Sequence, residues 1–192
     1  MKALLPVAVL VVLSFAGASA LRADSLIHNG DLSSGLSGWH DDGRLVYLNP
    51  DGTEADDASS GAIPAIKLRL SNEVQVVSQE YETKDSPTSL TISVDVMPSA
   101  DFKRSTDPSV YTKTWSAGGT WYWSGLVIPT SDFWIRGGPG WYYKLSDALQ
   151  PGKWTTVSGH FESIKPTDDH TLYFCVPPGD GAVYIKNAVV SP

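Results

Sequence analysis

The sequence predicts an all-β chain folded as a two-sheet antiparallel β-sandwich, a jelly roll. Three observations carry that expectation. Apolar residues alternate with period 2 in several segments, turn-forming clusters of Pro, Gly, Asn and Asp separate those segments, and no segment has a 3.6-residue apolar stripe. The 192 residues include 17 Gly, 13 Pro and 7 Trp, a composition suited to short strands joined by many turns.

Taken in order, residues 1–20 read as an export signal. Lys2 supplies the positive start, Leu4 to Phe15 the apolar run, and Ala18-Ser19-Ala20 the small-residue cleavage site. The run is shorter than the roughly 20 residues that span a bilayer. Strands are expected at 44–48, at 66–70 where Ile66, Leu68 and Leu70 alternate with Lys67 and Arg69, and at 74–81. Leu90, Ile92, Val94 and Val96 alternate with Thr91, Ser93 and Asp95 in the next, and another is expected at 121–128. The last three fall at 154–162, at 171–176, where Leu172, Phe174 and Val176 alternate with Thr171, Tyr173 and Cys175, and at 182–190. Between them lie the turn signals Asn49-Pro50-Asp51-Gly52, Asp85-Ser86-Pro87, Gly137-Gly138-Pro139-Gly140, Pro151-Gly152 and Pro177-Pro178-Gly179-Asp180-Gly181. No repeat or linker divides the mature chain, so residues 21–192 are expected to form a single domain. A single cysteine, Cys175, leaves no intrachain disulfide, and stability must come from the core.

The net charge of −7 disfavours nucleic acid, which requires basic surface to neutralise phosphate, and disfavours an anionic membrane surface. With 42% apolar and 18% charged residues, the chain has the makings of a packed core rather than of disorder.

Aromatic residues are unevenly placed. Ten of the chain's twenty lie between Tyr111 and Tyr143. If Leu126 and Ile128 face the core, Trp121 and Trp123 project to the opposite side of their strand. If Phe133 and Ile135 are buried, Trp134 and Arg136 face away. If Tyr143 and Leu145 point inward, Tyr142 and Lys144 do not. A bulge between any two of these positions would reverse the assignment. Indole and phenol rings off the core suit a sugar, whose C–H face stacks on an aromatic while its hydroxyl rim hydrogen-bonds groups such as Arg136, Asp132 and Lys144. The candidate ligand-binding residues are therefore Trp121, Trp123, Trp134, Arg136, Tyr142 and Lys144. Two other readings of the cluster stay open: plain core, and a surface that docks a protein.

Both ends of the chain carry further motifs. Leu26-Ile27-His28-Asn29-Gly30-Asp31-Leu32 is followed by Gly35-Leu36-Ser37-Gly38-Trp39, and later come Gly152 to Phe161, Leu172-Tyr173-Phe174 and Val183 to Val190. In order and spacing these resemble carbohydrate-binding modules of families 4 and 9, which are galactose-binding-like jelly rolls. The resemblance spans residues 26–190 and implies a two-sheet fold with a non-catalytic glycan-binding role. That family commonly carries a structural calcium, and the corresponding positions here read Ser33 and Lys186. An ammonium group there repels a cation, so Lys186 is expected to replace the ion and pair with Asp31. Residues 99–145 carry no motif of the family.

Other candidates are weaker. The acidic stretch Asp51 to Asp57 lacks the ligand order of a calcium loop. Asp41-Asp42 and Asp168-Asp169 are adjacent pairs, ill-suited to a glycosidase dyad. His28, His40, His160 and His170 lack metal-ligand spacing. No cofactor, metal site or membrane span is expected. The sequence thus reads as an exported, secreted or periplasmic, non-catalytic protein that binds a polysaccharide or glycan. The alternatives are an envelope structural or interaction sandwich that docks a protein partner through the same aromatic stretch, and a jelly-roll lyase or hydrolase.

Overall fold

The computed structural model describes residues 25–58, 61–72, 75–82, 89–105, 133–137, 143–145, 149–162, 170–176 and 178–192. For positions 104, 133–137, 143–145, 159, 161, 162, 170 and 175, the backbone alone is described. The expected strand at 121–128 lies outside these residues.

Every regular element among them is a strand: β1 (His40–Asp41), β2 (Arg44–Leu48), β3 (Glu54–Ala55), β4 (Ile63–Arg69), β5 (Gln75–Tyr81), β6 (Ser89–Pro98), β7 (Lys103–Arg104), β8 (Phe133–Gly137), β9 (Tyr143–Leu145), β10 (Thr155–Glu162), β11 (His170–Val176), β12 (Gly179–Asp180) and β13 (Ala182–Ser191). They form a five-stranded sheet ordered β1-β5-β11-β8-β9, a six-stranded sheet ordered β10-β6-β13-β4-β2-β3, and the small pair β12-β7. All pairings are antiparallel. The chain is therefore the all-β, two-sheet jelly-roll sandwich that alternation predicts. The short strands β1, β3, β7, β9 and β12 hold too few residues for a period-2 signal to register.

The main core lies between the two large sheets. Leu90, Ile92, Val94 and Val96 of β6, Ile66 and Leu68 of β4, and Val183 and Ile185 of β13 meet Val77 of β5 and Leu172, Phe174 and Val176 of β11. Each belongs to the apolar phase of its strand, and burying a side chain of this size contributes about 1.5–3 kcal/mol. At the centre, Trp39 stacks on Phe174 with ring centroids 5.9 Å apart.

The opening loop closes one end of this core. Asn29 takes a left-handed backbone (φ 54°), a region that Asn tolerates better than most residues. Its Nδ2 donates to the Gly35 and Ser37 carbonyls, and its Oδ1 accepts from the Ser34 amide at 2.8 Å. Its own carbonyl accepts from Trp39 Nε1 at 3.2 Å, which fixes the indole over Phe174. The next residue, Gly30, lies against β13: a side chain there would run into the Ala188 carbonyl, while Gly30 O accepts from Ala188 N at 3.0 Å. The Asn-Gly pair is thus a structural turn.

A second, smaller cluster occupies the outer face of the six-stranded sheet. Val46, Leu48, Ala65, Met97, Ala182 and Tyr184 pack there with Trp154 beside them. The turn that joins β2 to β3 folds over it, with Gly52 against the Met97 thioether. Tyr184 Oη donates to Glu54 Oε1 at 2.9 Å, and Lys67 pairs with the same carboxylate.

Candidate functional site

The two outer faces of the sandwich differ. The six-stranded sheet covers part of its outer face with its own β2–β3 turn. On the five-stranded sheet, the phase opposite to Val77, Phe174 and Leu172 defines the outer rows. One row runs His40, Ser78, Tyr173 and Arg136 across β1, β5, β11 and β8. The next runs Val76, Cys175, Trp134 and Lys144 across β5, β11, β8 and β9. A third pairs Glu80 with Thr171.

Of the six residues nominated by sequence, Trp134, Arg136 and Lys144 fall on these rows. Trp134 is the ladder partner of Lys144, and Arg136 is the partner of Tyr173. Phe133, Ile135, Tyr143 and Leu145 occupy the alternate rows, with Ile135 opposite Phe174. Trp121, Trp123 and Tyr142 lie outside the described residues, as does Asp132.

The ladder adds residues that inspection of the aromatic stretch alone missed. Ser78 is buried on this face and donates its hydroxyl to Asp41 Oδ2, so an acceptor carboxylate is held at the β1 side. Asp41 itself has φ 78°, which departs from an extended strand at the sheet's edge. His40 and Glu80 are exposed, and Tyr173 is half-buried in the middle of the sheet. The signal for Tyr173 was present in the sequence, in the polar phase of Thr171, Tyr173 and Cys175 against Leu172, Phe174 and Val176. The partnership of Asp41 with Ser78 spans 37 positions and leaves no local trace.

Chemically, these rows hold the positions of an indole, a phenol, two basic residues and an imidazole across neighbouring strands about 4.8 Å apart. That set can stack on a ring and exchange hydrogen bonds with its substituents. Among the described residues, no group of three or more His, Cys, Asp or Glu side chains is placed to hold a metal ion, and no helix is long and apolar enough to cross a membrane.

The expected pairing of Lys186 with Asp31 is corrected. Lys186 is the ladder partner of Asp95 and lies on the outer face of the six-stranded sheet, with its Nζ 4.2 Å from the Trp154 ring centroid. The Asp31 carboxylate instead accepts from the Ser33 amide at 3.1 Å. The cause is a bulge in β13 after Lys186, where Asn187 turns left-handed (φ 51°). Lys186 keeps the β6 register while Ala188 swings in to meet Gly30. Burial pulls the Lys186 ammonium below its usual pKa, and the Asp95 charge opposes that shift. Asp95 is bound on its two oxygens by Thr156 Oγ1 at 2.6 Å and Asn187 Nδ2 at 2.8 Å. The acidic loop after Asn49 is also structural: Asp51 Oδ1 accepts from the Thr53 amide and hydroxyl, and Glu54 anchors the turn to Lys67 and Tyr184.

No protein-family model matches the chain, and no curated protein matches it. Solved structures do. A family 61 carbohydrate-binding module in complex with β-1,4-galactotriose superposes with a TM-score of 0.50 at 12% identity, covering 86% of this chain and 97% of that one. A family 16 carbohydrate-binding module gives 0.49 at 12% identity, over 87% and 99% of the two chains. The enzymatically active domain of tailspike protein 4 from bacteriophage CBA120 gives 0.48 at 10% identity over 87% of this chain, which spans about a fifth (21%) of the tailspike's length. At 12% identity the likeness to the family 61 module is one of fold: this chain has a sandwich architecture similar to that module's.

Proposed function

We propose that the protein is an exported, non-catalytic module that binds a polysaccharide or glycan on the outer face of its five-stranded sheet. The observation that carries this reading is the ladder that sets Trp134 beside Tyr173's strand, with Arg136 and Lys144 on the same or adjoining outer rows. The indole and phenol would stack on sugar rings, and the polar groups would read the hydroxyl rim. No bond is made or broken. The carbohydrate-binding-module fold is consistent with this role, and the opening and closing motifs extend it to kinship with families 4 and 9. The leader at residues 1–20 would deliver the module outside the cytoplasm, where such ligands occur.

Affinity electrophoresis against a panel of soluble polysaccharides tests the proposal. Retardation by at least one polymer is expected, and it should be lost in Trp134→Ala and Tyr173→Ala variants that keep the wild-type thermal midpoint. Failure of every glycan to retard the protein, combined with specific capture of an envelope protein through the same face, would replace this reading with the docking alternative.

A further inference from the structure

We propose that β10 is a self-association edge, through which two copies of this chain pair antiparallel and join their six-stranded sheets into one. The length of that edge is the basis. Among the described residues, the five-stranded sheet ends on β1 and β9, and the six-stranded sheet ends on β3 and β10. Three of these four strands are two or three residues long, too short to template another chain. β10 runs eight residues, Thr155–Glu162, and its ladder with β6 is unbroken from Thr155–Val96 to Glu162–Ser89. No bulge twists it away, and residues 155–162 include no Pro, Lys or Arg to blunt it. An edge strand turns alternate N–H and C=O groups away from its neighbour, and these are left for solvent or for a further strand.

Exposure agrees with an open edge. Thr156, Ser158 and His160, in the outer phase of β10, are all exposed. Val157 belongs to the inward phase, opposite Val94, and packs against the main core. It is nevertheless only half-buried, whereas Val94 is fully buried. A strand added beyond β10 would complete the cover over Val157 and take its apolar surface out of water.

A second copy is the occupant that this edge fits. A net charge of −7 sets copies of the chain against each other wherever carboxylates meet. β10 carries one acid, Glu162 at its end, and no Lys or Arg, so two such strands meet with little repulsion. Antiparallel pairing places residues of one phase opposite each other, so the two-fold axis passes through a residue position. Ser158 and Gly159 are the two positions nearest the middle of the strand. With the axis at Ser158, Thr156 faces His160 of the second copy, and Val157 faces its Gly159, where no side chain crowds it. With the axis at Gly159, Ser158 faces His160, and Val157 faces Phe161, a β-branched–aromatic pair of the kind that stabilises sheets. Neither register sets two like charges opposite each other. The axis stands normal to the sheet, so both five-stranded sheets turn their outer faces to the same side. Two of the proposed glycan faces would then meet one polymer, and such linkage raises avidity by about 10²–10⁴. That gain rests on the glycan reading; the pairing itself does not.

Sedimentation equilibrium of the intact mature protein tests the pairing. Ser158 is the probe, because it is exposed and lies directly or diagonally opposite its own copy in either register. Wild type should show a monomer–dimer equilibrium with a Kd of about 1 mM or tighter, in keeping with a small, transient interface. Ser158→Lys and Ser158→Glu should each weaken association at least about tenfold, because like charges then meet near the axis. An equimolar mixture of the two variants should associate at least as well as wild type, a result that neither a misfolded variant nor an unrelated surface would give. A monomer at every concentration up to about 1 mM overturns the proposal. So does a dimer that both substitutions and their mixture leave unchanged. The readout is mass alone, so a failure here leaves the glycan reading standing.

Discussion

Asn29 shows how much one side chain can organise. Its amide ties three points of the opening loop, and its carbonyl orients Trp39. Asn29→Ala removes three side-chain hydrogen bonds and the residue type that best accepts a left-handed backbone. Net values near 1 kcal/mol per bond give an expected loss of about 2–3 kcal/mol, read as a lower urea midpoint. Glu54 works on the opposite face. Its hydrogen bond with Lys67 holds its carboxyl below the usual value of 4.5, with Tyr184 adding to the effect against desolvation. A depressed carboxylate pKa stabilises the fold above 4.5, and the contribution fades as pH falls through the folded value. The thermal midpoint of Glu54→Gln should therefore lie below wild type at pH 7, and the gap should close on acidification below 4.5. Because the Glu54 side chain is 39% exposed, solvent screens the pair and the gap should stay under about 1 kcal/mol.

Among elements, β13 is the most informative, because its bulge determines two features at once. With Asn187 left-handed, Lys186 stays on the outer face over Trp154, and Ala188 donates to Gly30. Asn187→Gly should cost little beyond the hydrogen bond to Asp95. Asn187→Val adds the strain of a β-branched residue at positive φ, about 1–2 kcal/mol more, and chemical denaturation of the two variants separates the terms. The same bulge explains where sequence reasoning stopped. Period-2 alternation located β4, β5, β6, β10, β11 and β13 within a few residues, because one buried face imposes that period. An extra residue in a strand shifts the phase without changing composition, so the placement of Lys186 beside Asp95 rather than Asp31 could not be read from the order of residues. Likewise Trp134, Arg136 and Lys144 were nominated from local phase, whereas Ser78 and Asp41 became visible as their neighbours only through pairings between distant strands.

For the whole molecule, the sandwich keeps a different cover on each side. The six-stranded sheet folds its β2–β3 turn over Met97 and Tyr184, while the five-stranded sheet arrays Tyr173, Ser78 and the positions of Trp134, Arg136 and Lys144 on its outer rows. Val76 and Ser78 on those rows are themselves buried, so the proposed ligand face rests on the positions of Tyr173, Trp134, Arg136 and Lys144. The export signal expected from the sequence belongs to this scale as well. Expression of the full chain in a host with a general secretion pathway should give an exported product whose N-terminal residue is Leu21, as read by intact-mass measurement.

The described chain also closes nearly into a ring. Leu26 N donates to Val190 O at 2.7 Å, so the polypeptide enters and leaves the sandwich at one spot. A circular permutant that relinks the ends through a few glycines and is reopened inside the Asn49–Thr53 turn would keep both large sheets and free the hairpin that shields Met97. Such a permutant, if it folds, would separate the contribution of that shield from the integrity of the rest.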